Sequence, residues 1–260
     1  MLRIRPAVRL ACFQQPLRKA LATASACGAE AVELDVWQEL PLAEMSKTAI
    51  RQIRKLLEDH RLQVSALAFP TRRGYHIQEN LDRRVEATKQ ALQLAANLGT
   101  QVVTNRIGIV PSDTEATDFV SLKQVLTDLG HYGQRVGAIL AARTGGEDGA
   151  VLATLMQTLP EGCAAVDLDP GSLLMNGYSA TESTSVLADY IVHMRVRDGL
   201  RDVARGRGEE TGFGSGAVDF NQLFAILEEY HYQGFFTVER EYSSYSTREI
   251  QHTVKQLRSI

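Results

Sequence analysis

The chain has 260 residues, a length that suits one α/β barrel of about 250 residues better than a single open-sheet domain. Its 28 Lys and Arg against 31 Asp and Glu leave a formal charge of -3, which argues against a nucleic-acid reader or a binder of anionic membranes, since both carry a basic stripe. Cys12, Cys27 and Cys163 lie far apart without C-x-x-C spacing, so the thiols are expected free, reduced and buried in a cytoplasmic protein, with neither a disulfide framework nor a thiolate zinc site.

Taken in chain order, short β-like runs alternate with longer segments of helical period, the pattern of βαβ units and a parallel sheet. The predicted strands cover 7–12, 31–36, 63–68, 101–104, 137–142, 164–169, 191–196 and 234–239. Between them, Asn80 is the expected N-cap of a helix with Asp82 in its first turn, apolar spacing through Val85, Leu92, Ala95 and Ala96, and Gly99 as its stop. Asp219, with Gln222 three residues on, opens a helix through Leu223, Phe224 and Leu227. The one long irregular stretch is 199–216, rich in Gly and Arg.

Eight strands are the number that closes a barrel, so the fold class is α/β, a (β/α)8 TIM barrel forming one domain over residues 1–260. An open doubly wound sheet shares the βαβ signature. Its first strand would lead into a glycine-rich turn, and Cys12-Phe-Gln-Gln-Pro16 is not one. No stretch approaches the roughly 18 apolar residues of a membrane span. The start, Met1-Leu-Arg-Ile-Arg-Pro6, lacks the following run of about 7–15 apolar residues that a secretory signal needs.

Four apolar runs of the second half end in charge: Arg143, Asp169, Arg195 and Glu239. Side chains at the C-terminal ends of barrel strands converge over the mouth, where charge points to chemistry more than to stability. Alternation along a strand puts Arg195 on one face with His193 and Arg197, Asp169 with Asp167, Glu239 with Thr237, and Arg143 with Ala141. If each of these faces is the inner one, two acids and two bases meet in a small space. One outcome is a buried salt-bridge network with no further role. The other is a reactive site.

The chain resembles the xylose isomerase-like family of barrels, sugar and sugar-phosphate isomerases and epimerases with endonuclease IV as a distant relative. The resemblance runs over nearly the whole chain. It is carried by Ala26-Cys-Gly-Ala-Glu-Ala-Val-Glu33, Ala91-Leu-Gln-Leu-Ala-Ala-Asn-Leu-Gly-Thr100, Asp169-Pro-Gly-Ser-Leu-Leu-Met-Asn-Gly177, Val196-Arg-Asp-Gly199, Gly214-Ser-Gly-Ala-Val-Asp219 and Gly234-Phe-Phe-Thr-Val-Glu239. The resemblance implies a divalent metal, Mn, Mg or Zn, held by Glu, Asp, His and Glu at the ends of the fifth to eighth strands. Asp169 and Glu239 match the Asp and the last Glu. Arg143, or a neighbouring alanine, stands at the place of the first Glu and Arg195 at that of the His. Arginine has no acceptor and is never deprotonated in a protein, so it cannot ligate a cation; the expectation is no cofactor, with Asp169 and Glu239 as the metal ligands if one binds.

The leading expectation is a sugar or sugar-phosphate isomerase or epimerase. In it, Glu239 or Asp169 removes a proton next to a carbonyl, and Arg195 and Arg143 act as the electrophilic clamp in place of the metal. The rival is a catalytically silent barrel that binds a sugar acid or phosphate through Arg143 and Arg195. A nuclease is disfavoured by the acidic balance and by only six His.

Candidate substrate contacts are Glu33 in Val32-Glu-Leu-Asp35, one of whose two acids is expected at the surface, together with Trp37, His76, Asn105, Arg205 and Arg207. The two arginines lead to Gly212-Phe-Gly-Ser-Gly216, where backbone N–H groups are expected to cradle an anion, as loops after strands seven and eight often do. Partners are expected to be a small sugar or sugar phosphate and a second copy of the chain, with no nucleic acid and no membrane. No G-K-[ST] phosphate loop, H-E-x-x-H or G-x-S-x-G occurs.

Overall fold

A computed structural model describes residues 2–202, 206–240 and 247–260. In chain order the elements are β1 (Pro6–Arg9), α1 (Leu17–Ala26), β2 (Ala31–Asp35), α2 (Lys47–Asp59), β3 (Gln63–Ala68), α3 (Leu81–Leu98), β4 (Val102–Asn105), α4 (Thr117–Val136) and β5 (Ile139–Arg143). They continue with α5 (Gly149–Thr158), β6 (Ala165–Leu168), α6 (Pro170–Met175), α7 (Ala180–Leu187), β7 (Ile191–Val196), β8 (Asp198–Leu200), β9 (Glu209–Thr211), α8 (Phe220–Glu229), β10 (Phe236–Val238) and α9 (Thr247–Leu257).

Eight parallel strands close in the order β1-β10-β7-β6-β5-β4-β3-β2, so the fold is the (β/α)8 barrel expected from the alternation. No described helix is long and apolar enough to cross a membrane. The strands alternate sharply. Val8, Val32, Leu34, Leu67, Val103, Leu140, Val166, Leu168, Met194, Val196, Phe236 and Val238 all join the hydrophobic cluster between barrel and helices. The residues between them, on the inner face, are small or charged: Ala7, Ala31, Ala66, Ala68, Ala141 and Ala165 with Arg9, Glu33, Asp35, Asp167, His193, Arg195 and Thr237. Barrel interiors are usually filled with branched apolar side chains. Here alanine leaves the volume that long guanidinium side chains occupy.

Strand register brings the charges together. Arg9 lies beside Glu33, Arg143 beside Asp167, Asp167 beside His193, and Thr237 beside Arg195.

Several sequence expectations are corrected at element ends. The first strand stops at Arg9 and passes into a 3-10 turn over Leu10–Phe13 instead of running to Cys12. Gly137 closes α4 with φ +81° and does not begin the next strand. Asn80 precedes α3 in the left-handed region, at φ 55°, and its side chain makes no capping bond there. Asp219 does cap α8, accepting from the Gln222 N–H at 3.0 Å, and Gly99 ends α3 as expected. The stretch 199–216 is not wholly irregular, because β8 and β9 pair as an antiparallel ribbon beside the mouth.

Candidate active site

The charged strand ends meet in one buried network. Arg195 is 1% exposed and crosses the barrel from β7 to β2, donating to Glu33 through Nη2 at 2.7 Å and Nη1 at 2.9 Å. Its Nε donates to Asp167 at 2.7 Å, and Nη1 also reaches Glu239. Arg143 grips Asp169 Oδ2 with Nε at 2.9 Å and Nη2 at 2.5 Å, and its Nη2 lies 3.1 Å from Glu239. Arg197 donates to the same Asp169 oxygen at 2.7 Å, while Arg9 donates to Glu239 and, at 3.1 Å, to Asp35. His193 links Asp167 through Nδ1 at 2.7 Å to Thr237 through Nε2 at 2.8 Å.

Such burial is tolerable only with full pairing, because an uncompensated charge in the interior costs several kcal/mol. Burial by itself would raise the carboxyl of Asp169, but Arg197 and Arg143 bring it down to about 2. Glu33 likewise comes down to about 2 against its burial, through Arg195 and Arg9. Burial also works against ionised Glu239, and Arg143, Arg195 and Arg9 overcome it, holding the group well below the usual carboxylate range. These acids are fixed anions at any ordinary pH.

Two cavities open over this network. The first, of about 410 Å³, lies at the mouth, and its charged lining among the described residues is Arg9, Arg106, Arg143, Arg195, Arg240 and Glu239. The second, of about 1020 Å³, lies between the loops after β4, β5 and β6 and the β8–β9 ribbon. Arg106 and Arg143 border both.

The structure therefore brings Glu239, Asp169, Arg195 and Arg143 together as strand parity suggested. The other candidates fare differently. Glu33 and Asp35 are both buried, so neither is the surface acid expected of the pair, and Glu33 lies below the mouth as a partner of Arg195. Asn105 borders the mouth but spends Nδ2 on the Phe69 carbonyl at 2.5 Å. Trp37 is 56% exposed at the rim, stacked on Phe69, and lines neither cavity. His76 lines neither cavity. Arg207 borders the larger one, and Arg205 lies outside the described residues. Cys12, Cys27 and Cys163 are free, but Cys12 is only half-buried and borders the mouth, where burial and then Glu239 push its thiol up to about 12.

The glycine loop does not present an open amide cradle. Asp198 accepts from Gly214 and Gly216 at 3.0 and 2.9 Å and from Val218 at 3.2 Å, so the chain's own carboxylate occupies those donors. Gly216 is needed for this approach, since a Cβ there would lie 2.1 Å from Asp198 Oδ1.

Sequence reasoning missed Arg9, Asp167, His193 and Arg197 as site residues. Asp167, His193 and Arg197 were legible as the same-face neighbours of Asp169 and Arg195. Arg9 was hidden because the first strand was read three residues too long.

A metal does not fit this donor set. Each oxygen that Asp169 and Glu239 would offer already accepts from a backbone N–H or a guanidinium, and among the described residues no three His, Cys, Asp or Glu side chains are grouped to hold an ion. The neighbouring guanidiniums would also repel a cation.

Fold and mouth together define a (β/α)8 barrel with a charged, strand-end site. The xylose isomerase-like TIM barrel model matches residues 21–260, and the chain belongs to that family. No curated protein is recognisably similar to it in sequence. Among solved structures, a xylose isomerase domain protein from Planctomyces limnophilus is 20% identical, with 92% of this chain and 91% of that one covered and a TM-score of 0.83. A xylose isomerase-like TIM barrel protein from Mycobacterium smegmatis, in complex with magnesium, is 16% identical over 98% of this chain and 94% of that one, with a TM-score of 0.78. A 3-keto-D-glucoside 4-epimerase from E. coli is 14% identical over 99% and 100%, with a TM-score of 0.77. At these identities the likeness is one of fold.

Proposed function

We propose that this barrel binds a small anionic carbohydrate derivative, a sugar acid or a sugar phosphate, at its mouth without a metal, with Arg143 and Arg195 filling two positions that hold metal ligands in the family it resembles. The observation that carries this is the charged lining of the mouth cavity, five arginines with Glu239. Guanidinium forks match carboxylate and phosphate oxygens in pairs, and each charge-assisted bond contributes about 1.5–3 kcal/mol where water is excluded.

Proton abstraction by Glu239 or Asp169 is less favoured as the chemistry. A general base works best with a pKa near the operating pH, and both groups are held far below it by the arginines. Their task is to fix the guanidiniums in place.

Titration calorimetry on chelator-treated protein tests the proposal with glucuronate and glucose 6-phosphate as probes and glucose as the neutral control. The anions should bind and glucose should bind at least about tenfold more weakly. Equal affinities, or anion binding that appears only after Mn²⁺ is added, would overturn the proposal.

A further inference from the structure

One acid beside the arginines has a different character from the rest. Glu147 lies in the loop between β5 and α5, is 9% exposed, and borders the larger cavity. The other charged groups around that cavity are Arg106, Arg143, Arg197, Arg207, Glu209 and Glu210. Every acid of the network below is gripped by guanidinium. Glu147 accepts only the Val110 N–H, at 3.3 Å through Oε2, and has no ion-pair partner among the described residues.

The loop holds it there. Gly145 sits at φ +116°, where an added Cβ would lie 2.3 Å from Ser172 Oγ, so the loop packs directly on α6. Two residues after Gly146, Asp148 caps α5 by accepting from the Ala150 N–H at 3.0 Å. Glu147 is pinned between these anchors, facing a space large enough for a sugar, away from arginine contact.

We propose that Glu147 is the acid–base residue of a proton-transfer subsite in the larger cavity, acting on the carbon next to a carbonyl of the ligand whose anionic group the arginines hold. This rests on the binding function proposed above. Arg106 and Arg143 border both cavities, so two of the arginines that line the mouth also line the space that Glu147 borders.

The ionised carboxylate takes the proton from that carbon. The C–H electron pair becomes the C=C bond of an enediolate, and the carbonyl π pair moves onto oxygen, facing the Arg143 or Arg197 guanidinium. Return of the proton to the same carbon, on either face, restores the carbonyl and leaves Glu147 ionised as it began. No oxidant or second reactant is needed. Burial pushes the Glu147 carboxyl up to about 7 against the opposing Val110 amide, which suits exchange near neutral pH.

The test incubates the protein with glucuronate and with glucose 6-phosphate in D2O and follows deuterium entering the carbon next to the carbonyl. Wild type should exchange, with a rate that rises through pH 7. Glu147→Gln should lose exchange by roughly 100-fold or more while calorimetric affinity for the same probes changes less than about threefold. A second readout needs no turnover: the Glu147 carboxyl carbon, followed by ¹³C NMR, should titrate near pH 7 and shift upward when sulfate is added.

Exchange that survives in Glu147→Gln overturns the assignment. So does a carboxyl that titrates near the ordinary 4.5 and ignores sulfate. Probes that bind without exchanging in wild type contradict Glu147 alone, whereas probes that do not bind at all contradict the binding function and this subsite together.

Discussion

Arg195 and Glu33, 162 residues apart in sequence, face each other across the barrel as a two-bond fork at 2.7 and 2.9 Å, both side chains closed off from water. Thr104 shares the fork, donating to Glu33 at 2.9 Å, so the pair ties β7 to β2 and β4 below the mouth. Removing one partner leaves the other charge buried and unpaired, the costly outcome for a buried ion pair. Arg195→Met should lower unfolding free energy by about 3–5 kcal/mol in urea titrations, through the lost charge more than through lost volume. Pairing it with Glu33→Gln should recover part of that loss, and strict additivity of the two changes would show that they do not interact.

The same network sets an acid limit. Asp169 and Glu33 titrate near 2 in the fold, against ordinary values of 3.8 and 4.5. A carboxyl whose folded pKa is depressed contributes stability that is present above its unfolded pKa and lost as pH falls through the folded one. Stability should therefore decline from about pH 5 downward and steepen toward pH 2, as read by denaturant midpoints across that range. Glu147 works in the opposite sense. Its raised carboxyl contributes stability below about 4.5 that is lost on going up through about 7, so Glu147→Gln should flatten the curve between those two values.

If two arginines have taken the places of metal ligands, restoring those ligands should restore metal affinity. Arg143→Glu together with Arg195→His rebuilds, with Asp169 and Glu239, the Glu, Asp, His and Glu set of the family it resembles. The double variant should gain tight Mn²⁺ or Zn²⁺ binding in titration calorimetry that wild type lacks. Wild-type protein that binds the ion as well as the variant would remove the basis for the exchange.

Asp198 holds the loop after β9 through the amides of Gly214, Gly216 and Val218. Asp198→Ala should release all three and speed their hydrogen exchange by at least about tenfold, with little change at the α3 amides. Unchanged protection at Gly216 would mean that the ribbon holds the loop without Asp198.

The barrel itself was legible because strand alternation and helix period are local properties: Val8, Val32, Leu34, Leu140 and Val166 face the helices as the pattern requires. Arg143, Asp169, Arg195 and Glu239 were legible for the same reason, since a strand end fixes where a side chain points. Partners were not. Nothing local says that Arg195 meets Glu33 and Asp167, or that Arg9 turns into the mouth, because barrel closure joins residues from β2, β6, β7 and β10. The glycine loop misled for a similar reason: its amides looked free for an anion, and Asp198, already in the chain, is that anion.

Whether guanidinium stands in place of metal at the mouth and receives an anionic sugar is read from a crystal structure of protein grown with Mn²⁺ and glucuronate, with an anomalous difference map at the manganese edge. The expected result is no anomalous peak between Asp169 and Glu239, with the glucuronate carboxylate against Arg143 in the mouth cavity. A manganese peak bonded to both carboxylates, with Arg143 and Arg195 swung away, would contradict it.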